Sequence, residues 1–213
     1  MIRLRSVTKT YGGNVILNNV SLDLSDGVIY GLVGANGCGK TTLMRCICGF
    51  THPDSGTVEV NGEIIGKNRD FPDKTGIILE TPSFLPQYSG IKNLQLLAGI
   101  SGYKELPEIK RIMRFVGLDP DDKKEVKKYS LGMRQRLGIA QAIMENPQIL
   151  ILDEPFNGLD QDGIEDIHVL LKKLKANGKL IFLASHSATD IERSCDFVYE
   201  MRNGELHLRN KCS

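Results

Sequence analysis

No apolar run in these 213 residues approaches the roughly 20 needed to cross a bilayer, and the N-terminus carries no charged-then-apolar leader. Charge of one sign is also missing. Lys+Arg total 27 and Asp+Glu 26, a net +1. Such balance gives no broad field to attract nucleic acid or an anionic membrane, so no direct nucleic-acid partner is expected. Five scattered cysteines (Cys38, Cys46, Cys48, Cys195, Cys212) are too few and odd in number for a disulfide framework. Cys46 and Cys48, two apart on a helix, face different directions and lack metal-ligand partners. Repeats and low-complexity segments are absent. What remains is a soluble, cytosolic chain long enough for one ample α/β core with a small inserted lobe, whose membrane work, if any, goes through another chain.

Against these absences stands Gly34-Ala35-Asn36-Gly37-Cys38-Gly39-Lys40-Thr41-Thr42. It follows the apolar run Val28–Val33 and precedes the helix-patterned Leu43–Cys48, so G-x-x-x-x-G-K-[ST] occurs in its strand-loop-helix context. The glycines let successive backbone N–H groups curl inward onto phosphate oxygens, and the helix start adds partial positive charge. Lys40 supplies a point charge for the β- and γ-phosphates and Thr41 a hydroxyl for Mg²⁺. The chain is read as binding a nucleoside triphosphate. Cys38 lies inside this loop, where alkylation or oxidation should block it.

Short strands are expected over Ile2–Val7 and Val20–Leu24, with Tyr11 in a turn beside Gly12-Gly13, as a packing anchor or a stacking partner for a purine. Thr57–Ile65 reads as a hairpin turning at Asn61-Gly62, Gly76–Leu79 as a buried strand, and Thr81–Gly90 as a surface loop. Helices are expected over Ile91–Ile100, Pro107–Val116 and from near Ser130 to Glu145. This middle section, residues 85–145, reads as a helical insertion. Buried strands follow at Gln148–Leu152 and Lys179–Ala184, a helix at Gly163–Ala176, and a hairpin at 197–208 around Asn203-Gly204. Strands alternating with helices around a phosphate loop imply a mostly parallel sheet with ligand at the strands' C-terminal ends.

Asp153 and Glu154 close a buried strand at that edge. Asp153 suits Mg²⁺ beside Thr41, and Glu154 suits a base for the attacking water. His186 ends another strand there. Ser130 to Arg136 is a polar, Gly-bearing helix start, read either as a simple Ser cap or as a second phosphate site. With one phosphate loop per chain, a second anion site would have to serve another copy.

Together these residues resemble the ATP-binding-cassette (ABC) ATPases over essentially the whole chain. Gly34–Thr42 matches the Walker A, Ile149–Glu154 the Walker B with its catalytic Glu, and Asn157-Gly158-Leu159-Asp160 the D-loop. His186 matches the switch histidine, Tyr129–Arg136 the signature, and Tyr11 the adenine-stacking aromatic. The resemblance implies an α/β RecA-like phosphate-loop core with an N-terminal antiparallel β subdomain and an inserted helical subdomain. Core and β subdomain would span 1–84 and 146–213, the helical part 85–145, within one ATPase domain. It implies ATP and Mg²⁺ as cofactors, Glu154 and His186 as catalytic, and Thr41 and Asp153 at the metal; Glu80, a third carboxylate near Asp153 and Glu154, is expected on charge grounds to ligate Mg²⁺ as well. Two copies would close head to tail so that Ser130, Gly132 and Asp160 complete the partner's ATP site. The transmembrane permease would be a separate chain, holding this one peripherally at the cytoplasmic face. The Phe84–Tyr88 loop is the candidate permease groove or ordinary packing.

Three motifs depart from that family's pattern. Gly-Gly-Gln in the signature is Leu131-Gly132-Met133, Ser-Ala in the D-loop is Asn157-Gly158, and the Q-loop glutamine is Glu80. Gln87, in the following loop, is not its equivalent. Glu80 with Tyr-Ser-Leu-Gly-Met resembles the subgroup exporting peptide antibiotics such as bacitracin and lantibiotics. The rival expectation is a non-transport ABC ATPase of DNA repair or translation; such chains carry a long coiled coil or a second cassette, and neither is present here.

Overall fold

The computed structural model describes residues 1–80, 82–102 and 105–211, and the side chains of 210 and 211 are left aside. Thr81 and Cys212, which figure in the reading above, lie outside the described residues.

Two sheets form. In the first, β1 (Ile2–Tyr11), β2 (Asn14–Leu24), β4 (Ser55–Val60) and β5 (Glu63–Ile64) run antiparallel in the order β2-β1-β4-β5. Inward Ile2, Leu4 and Val7 alternate with outward polar residues, as expected of a sheet with one wet face. Asn61 and Gly62 both take positive φ, so the two-residue turn has the twist that closes a hairpin.

The second sheet has the order β10-β9-β3-β8-β7-β6. Its strands are β3 (Ile29–Val33), β6 (Thr75–Ile78), β7 (Ile149–Asp153), β8 (Leu180–Ala184), β9 (Phe197–Arg202) and β10 (Glu205–Lys211). All neighbours are parallel except β9 and β10. β3, β7 and β8 are buried at every residue, the signature of strands covered on both faces. One face carries α1 (Lys40–Ile47) and the first sheet. The other carries α2 (Gly90–Ile100), α3 (Leu106–Phe115), α4 (Leu131–Ile143), α5 (Gln161–Ala176) and α6 (Ala188–Ser194). β6 meets α4 so closely that a Cβ on Gly76 would strike the Ala142 carbonyl and lie 2.8 Å from Leu150 Cδ2.

Most expected elements occur, with corrections at their ends. Tyr11 closes β1, paired with Asn14, so Gly12-Gly13 alone makes the turn. Ser130 is a cap rather than part of its helix, and α4 stops before Glu145. β6 ends at Ile78, before Leu79. The short α6 is not among the expected helices; its seven residues hold too little periodicity to register.

Candidate active site

The loop after β3 is built by its glycines. A Cβ on Gly34 would stand 2.6 Å from the Met201 carbonyl oxygen and 2.7 Å from Cys38 Sγ. Gly39 has φ +111 and a Cβ there would sit 2.8 Å from the Ile16 carbonyl oxygen, so both positions need a bare α-carbon. Buried Lys40 curls back over the loop, its Nζ donating to the Gly34 and Ala35 carbonyls at 2.8 and 3.2 Å. Cys38 N–H donates to the Ala35 carbonyl at 3.3 Å, its thiol half-buried. Cys46 and Cys48 are packing thiols: burial pushes them up to about 11 and about 12.

Thr41 Oγ1 donates to Asp153 Oδ2 at 2.7 Å, joining α1 to the end of β7. Burial pushes the Asp153 carboxyl above its ordinary range; Thr41 and Lys40 oppose this, and Glu154 and Glu80 reinforce it. Glu154, the next residue, takes φ +50, a backbone conformation costing about 1–2 kcal/mol for a residue with a side chain. Two anchors hold it there. Its N–H donates to the Ala184 carbonyl at 2.9 Å, and its carbonyl accepts from Gln135 Nε2 at 3.1 Å. The carboxylate accepts from Ser185 Oγ at 3.3 Å, and His186 Nδ1 lies 2.8 Å from the same oxygen, Oε2.

A cleft of about 440 Å³ gathers Tyr11, Asn36, Gly37, Gly39, Lys40, Thr41, Thr42, Glu80, Asp153 and Glu154 along one edge of the parallel sheet. Tyr11 is half-exposed, its hydroxyl 3.1 Å from Thr51 Oγ1 and Lys9 Nζ 5.2 Å above its ring. Ser130, Gly132 and Asp160 are elsewhere. They line a second cleft, of about 620 Å³, with Gly158 and Arg136. There Ser130 Oγ caps α4 by accepting from Met133 N–H, and Asp160 caps α5 by accepting from Gly163 N–H.

Sequence reasoning missed the supporting partners. Arg45 on α1 pairs with Glu80, offsetting the added carboxylate. Gln135 fixes the backbone of Glu154, and Ser185 its side chain. Gln135 stands inside the signature stretch and Ser185 beside His186, but nothing in either stretch points to Glu154 as the partner. Arg45, a cation one helix turn beyond the phosphate loop, carries no mark of its partner, 35 residues away.

The described residues hold no group of three His, Cys, Asp or Glu that could bind a metal. Thr41 and Asp153 instead offer two hard oxygens beside a phosphate loop, a donor set suited to a cation that keeps substrate phosphates and water as its other ligands.

Comparison with known proteins agrees with this geometry. The family model described as ABC transporter matches residues 17–157. An uncharacterized ABC transporter ATP-binding protein of Bacillus subtilis (strain 168) is 40% identical over 211 residues, 99% of this chain and 97% of that protein. The bacitracin transport ATP-binding protein BcrA of Enterococcus faecalis is 41% identical over 222 residues, 99% of this chain and 72% of that protein. The lantibiotic transport ATP-binding protein SrtF of Streptococcus pyogenes is 36% identical over 211 residues, covering 99% and 91%. A dimeric cassette in a post-hydrolysis state with ADP and phosphate bound superposes with TM-score 0.88 at 25% identity, covering 100% of this chain and 99% of that one. The strand-edge cleft with its glycine loop and paired acids, and the match of family and relatives along the chain, place this protein in the ABC transporter family as an ATP-binding, ATP-hydrolysing subunit.

Proposed function

We propose that this chain powers export of peptide antibiotics through a separate membrane permease, acting as a homodimer at the cytoplasmic face of the cell membrane. The observation that carries the dimer is the separation of the two clefts. Lys40 and Glu154 line one, Ser130, Gly132 and Asp160 the other, so a single copy offers each ATP only half its contacts. A second copy, turned head to tail, supplies the rest. Helix α4 then presents its N-terminal N–H groups to the γ-phosphate of the partner's nucleotide.

In this reading Tyr11 stacks on adenine and residues 34–42 wrap the phosphates. Glu154 takes the proton of the attacking water, and His186, bonded to its Oε2, keeps the carboxylate aimed. When bound, Mg²⁺ supplies positive charge that offsets the phosphates, with Thr41, Asp153 and Glu80 as the holding residues. Export of peptides is supported by the printed names of the bacitracin and lantibiotic transport relatives. No helix among the described residues is long and apolar enough to cross a membrane, which supports a separate permease.

Its docking face is assigned to the groove of Phe50, Leu79, Pro82, Ser83, Gly138 and Gln141, beside the exposed Phe50–Phe71 ring pair with centroids 5.8 Å apart. The Phe84–Tyr88 loop borders it, its backbone at Leu85 and Tyr88 clasped by buried Asn93.

The test first asks whether a multi-spanning membrane protein is encoded beside the gene, whose absence would count against the reading, and then reconstitutes the chain with it. ATP hydrolysis in proteoliposomes is expected to rise at least about twofold with bacitracin or a lantibiotic, a modest coupling of substrate to turnover. A complex that responds to neither would reject the substrate class. Glu80→Gln is expected to raise the Mg²⁺ concentration needed for half-maximal hydrolysis and to improve ATP binding in a chelator, because one carboxylate fewer then faces the phosphates. Superimposable Mg²⁺ titrations of wild type and variant would remove Glu80 from the metal site.

A further inference from the structure

We infer that Leu131 and Gly158 form a matched pair that positions residues 154–160 for hydrolysis. They are two of the positions at which the chain departs from the ABC pattern, and they touch. Gly158 has φ +74, and a Cβ built on it would strike Leu131 Cγ, lying 2.5 Å from Cδ2 and 3.1 Å from Cβ of the same side chain. Cγ and Cδ2 clear the added methyl only if Leu131 leaves its rotamer, and Cβ, fixed to the helix backbone, does not move with it. The reciprocal contact follows one residue on: a Cβ on Gly132 would lie 2.7 Å from the Gly158 carbonyl oxygen. With Leu131 in this rotamer only a bare 158 fits beneath it, and the carbonyl of 158 leaves room only for a bare 132.

The interlock connects parts of the site that are distant in sequence. Leu131 also lines the phosphate-loop cleft, whereas Gly158 lines the cleft of Ser130 and Asp160. One turn further along α4, Gln135 bonds the Glu154 carbonyl. The first turns of α4 thus hold the segment at 154 and at 158, and a methyl group at 158 must displace either α4 or the Leu131 side chain. Leu131 and Gly158 are positioning residues, acting through Glu154. The inference rests on Glu154 being the base proposed above.

The test is a double-mutant cycle of wild type, Leu131→Gly, Gly158→Ala and the double variant, measuring kcat, KM for ATP and thermal unfolding. Gly158→Ala is expected to lower kcat about tenfold or more with KM changed less than about threefold, a misplacement effect rather than lost substrate binding. The double variant is expected within about threefold of Leu131→Gly alone, because removing the side chain at 131 makes room for the methyl. Losses that multiply, a Gly158→Ala protein with wild-type kcat, or a double variant that unfolds as Gly158→Ala does would each overturn the pairing. The last would show that the left-handed backbone alone demands glycine. Glu154→Gln with undiminished kcat would instead reject the base while leaving any non-additivity in the cycle standing.

Discussion

Glu154→Gln is expected to lower kcat by about two to four orders of magnitude, the range for losing a positioned general base. ATP binding should survive. The substitution conserves size and leaves both backbone anchors, to Ala184 and Gln135, untouched. An amide oxygen still accepts from Ser185 and His186, so the left-handed backbone at 154 stays held. What disappears is an oxygen basic enough to take a proton from water. Both hydrogen bonds, from Ser185 and His186, fall on Oε2. Since hydrolysis is what reopens the proposed dimer, the variant should accumulate as an ATP-bound dimer. Phosphate release and light scattering with ATP check both outcomes; a variant that turns over normally, or stays monomeric with ATP, contradicts the corresponding half of the mechanism.

Lys40→Ala should act earlier, on binding. The Lys40 ammonium is held over the loop by the Gly34 and Ala35 carbonyls, so its charge is already aimed where phosphates dock. Removing a buried, hydrogen-bonded charge that faces a phosphate costs about 2–5 kcal/mol, weakening ATP affinity by about 30-fold or more. Loss of the same cation from the transferring phosphoryl group should lower kcat by a further factor of about one hundred. Titration calorimetry with ATP and single-turnover hydrolysis separate the two contributions. Near-normal affinity would mean that the backbone N–H groups of the loop carry binding alone.

How much of this was legible in the sequence depended on distance along the chain. The phosphate loop, the Asp153-Glu154 pair and the strands that end on them are local patterns, and the fold places them as the spacing predicts. Hairpins turning at Asn61-Gly62 and Asn203-Gly204 carry their turn chemistry in two residues and form where expected. Partners with no local mark were invisible. Arg45 and Glu80 are 35 residues apart and Gln135 and Glu154 are 19 apart, and each pair is joined only by how α1 and α4 lie on the sheet. Tyr11 was misplaced because two glycines after it suggested an earlier turn; pairing with Asn14 extends the strand instead. The fit of Leu131 over Gly158 could not be read at all. It is a shape relation between two residues that, taken singly, look like lapses from a motif.

The strand order also says when the site can exist during synthesis. The two neighbours of β3 are β8 and β9, drawn from residues 180–184 and 197–202 of a 213-residue chain. Until the ribosome has released those segments, the strand that carries the phosphate loop has no partner on either side, although the loop itself was made some 140 residues earlier. Inserting β8 then does two things at once. It pairs with β3 on one side and β7 on the other, bringing Lys40 and Glu154 into one edge in a single late, long-range step. A nascent chain halted before residue 180 would carry every phosphate-binding residue of the Walker A and still have no place to hold a nucleotide.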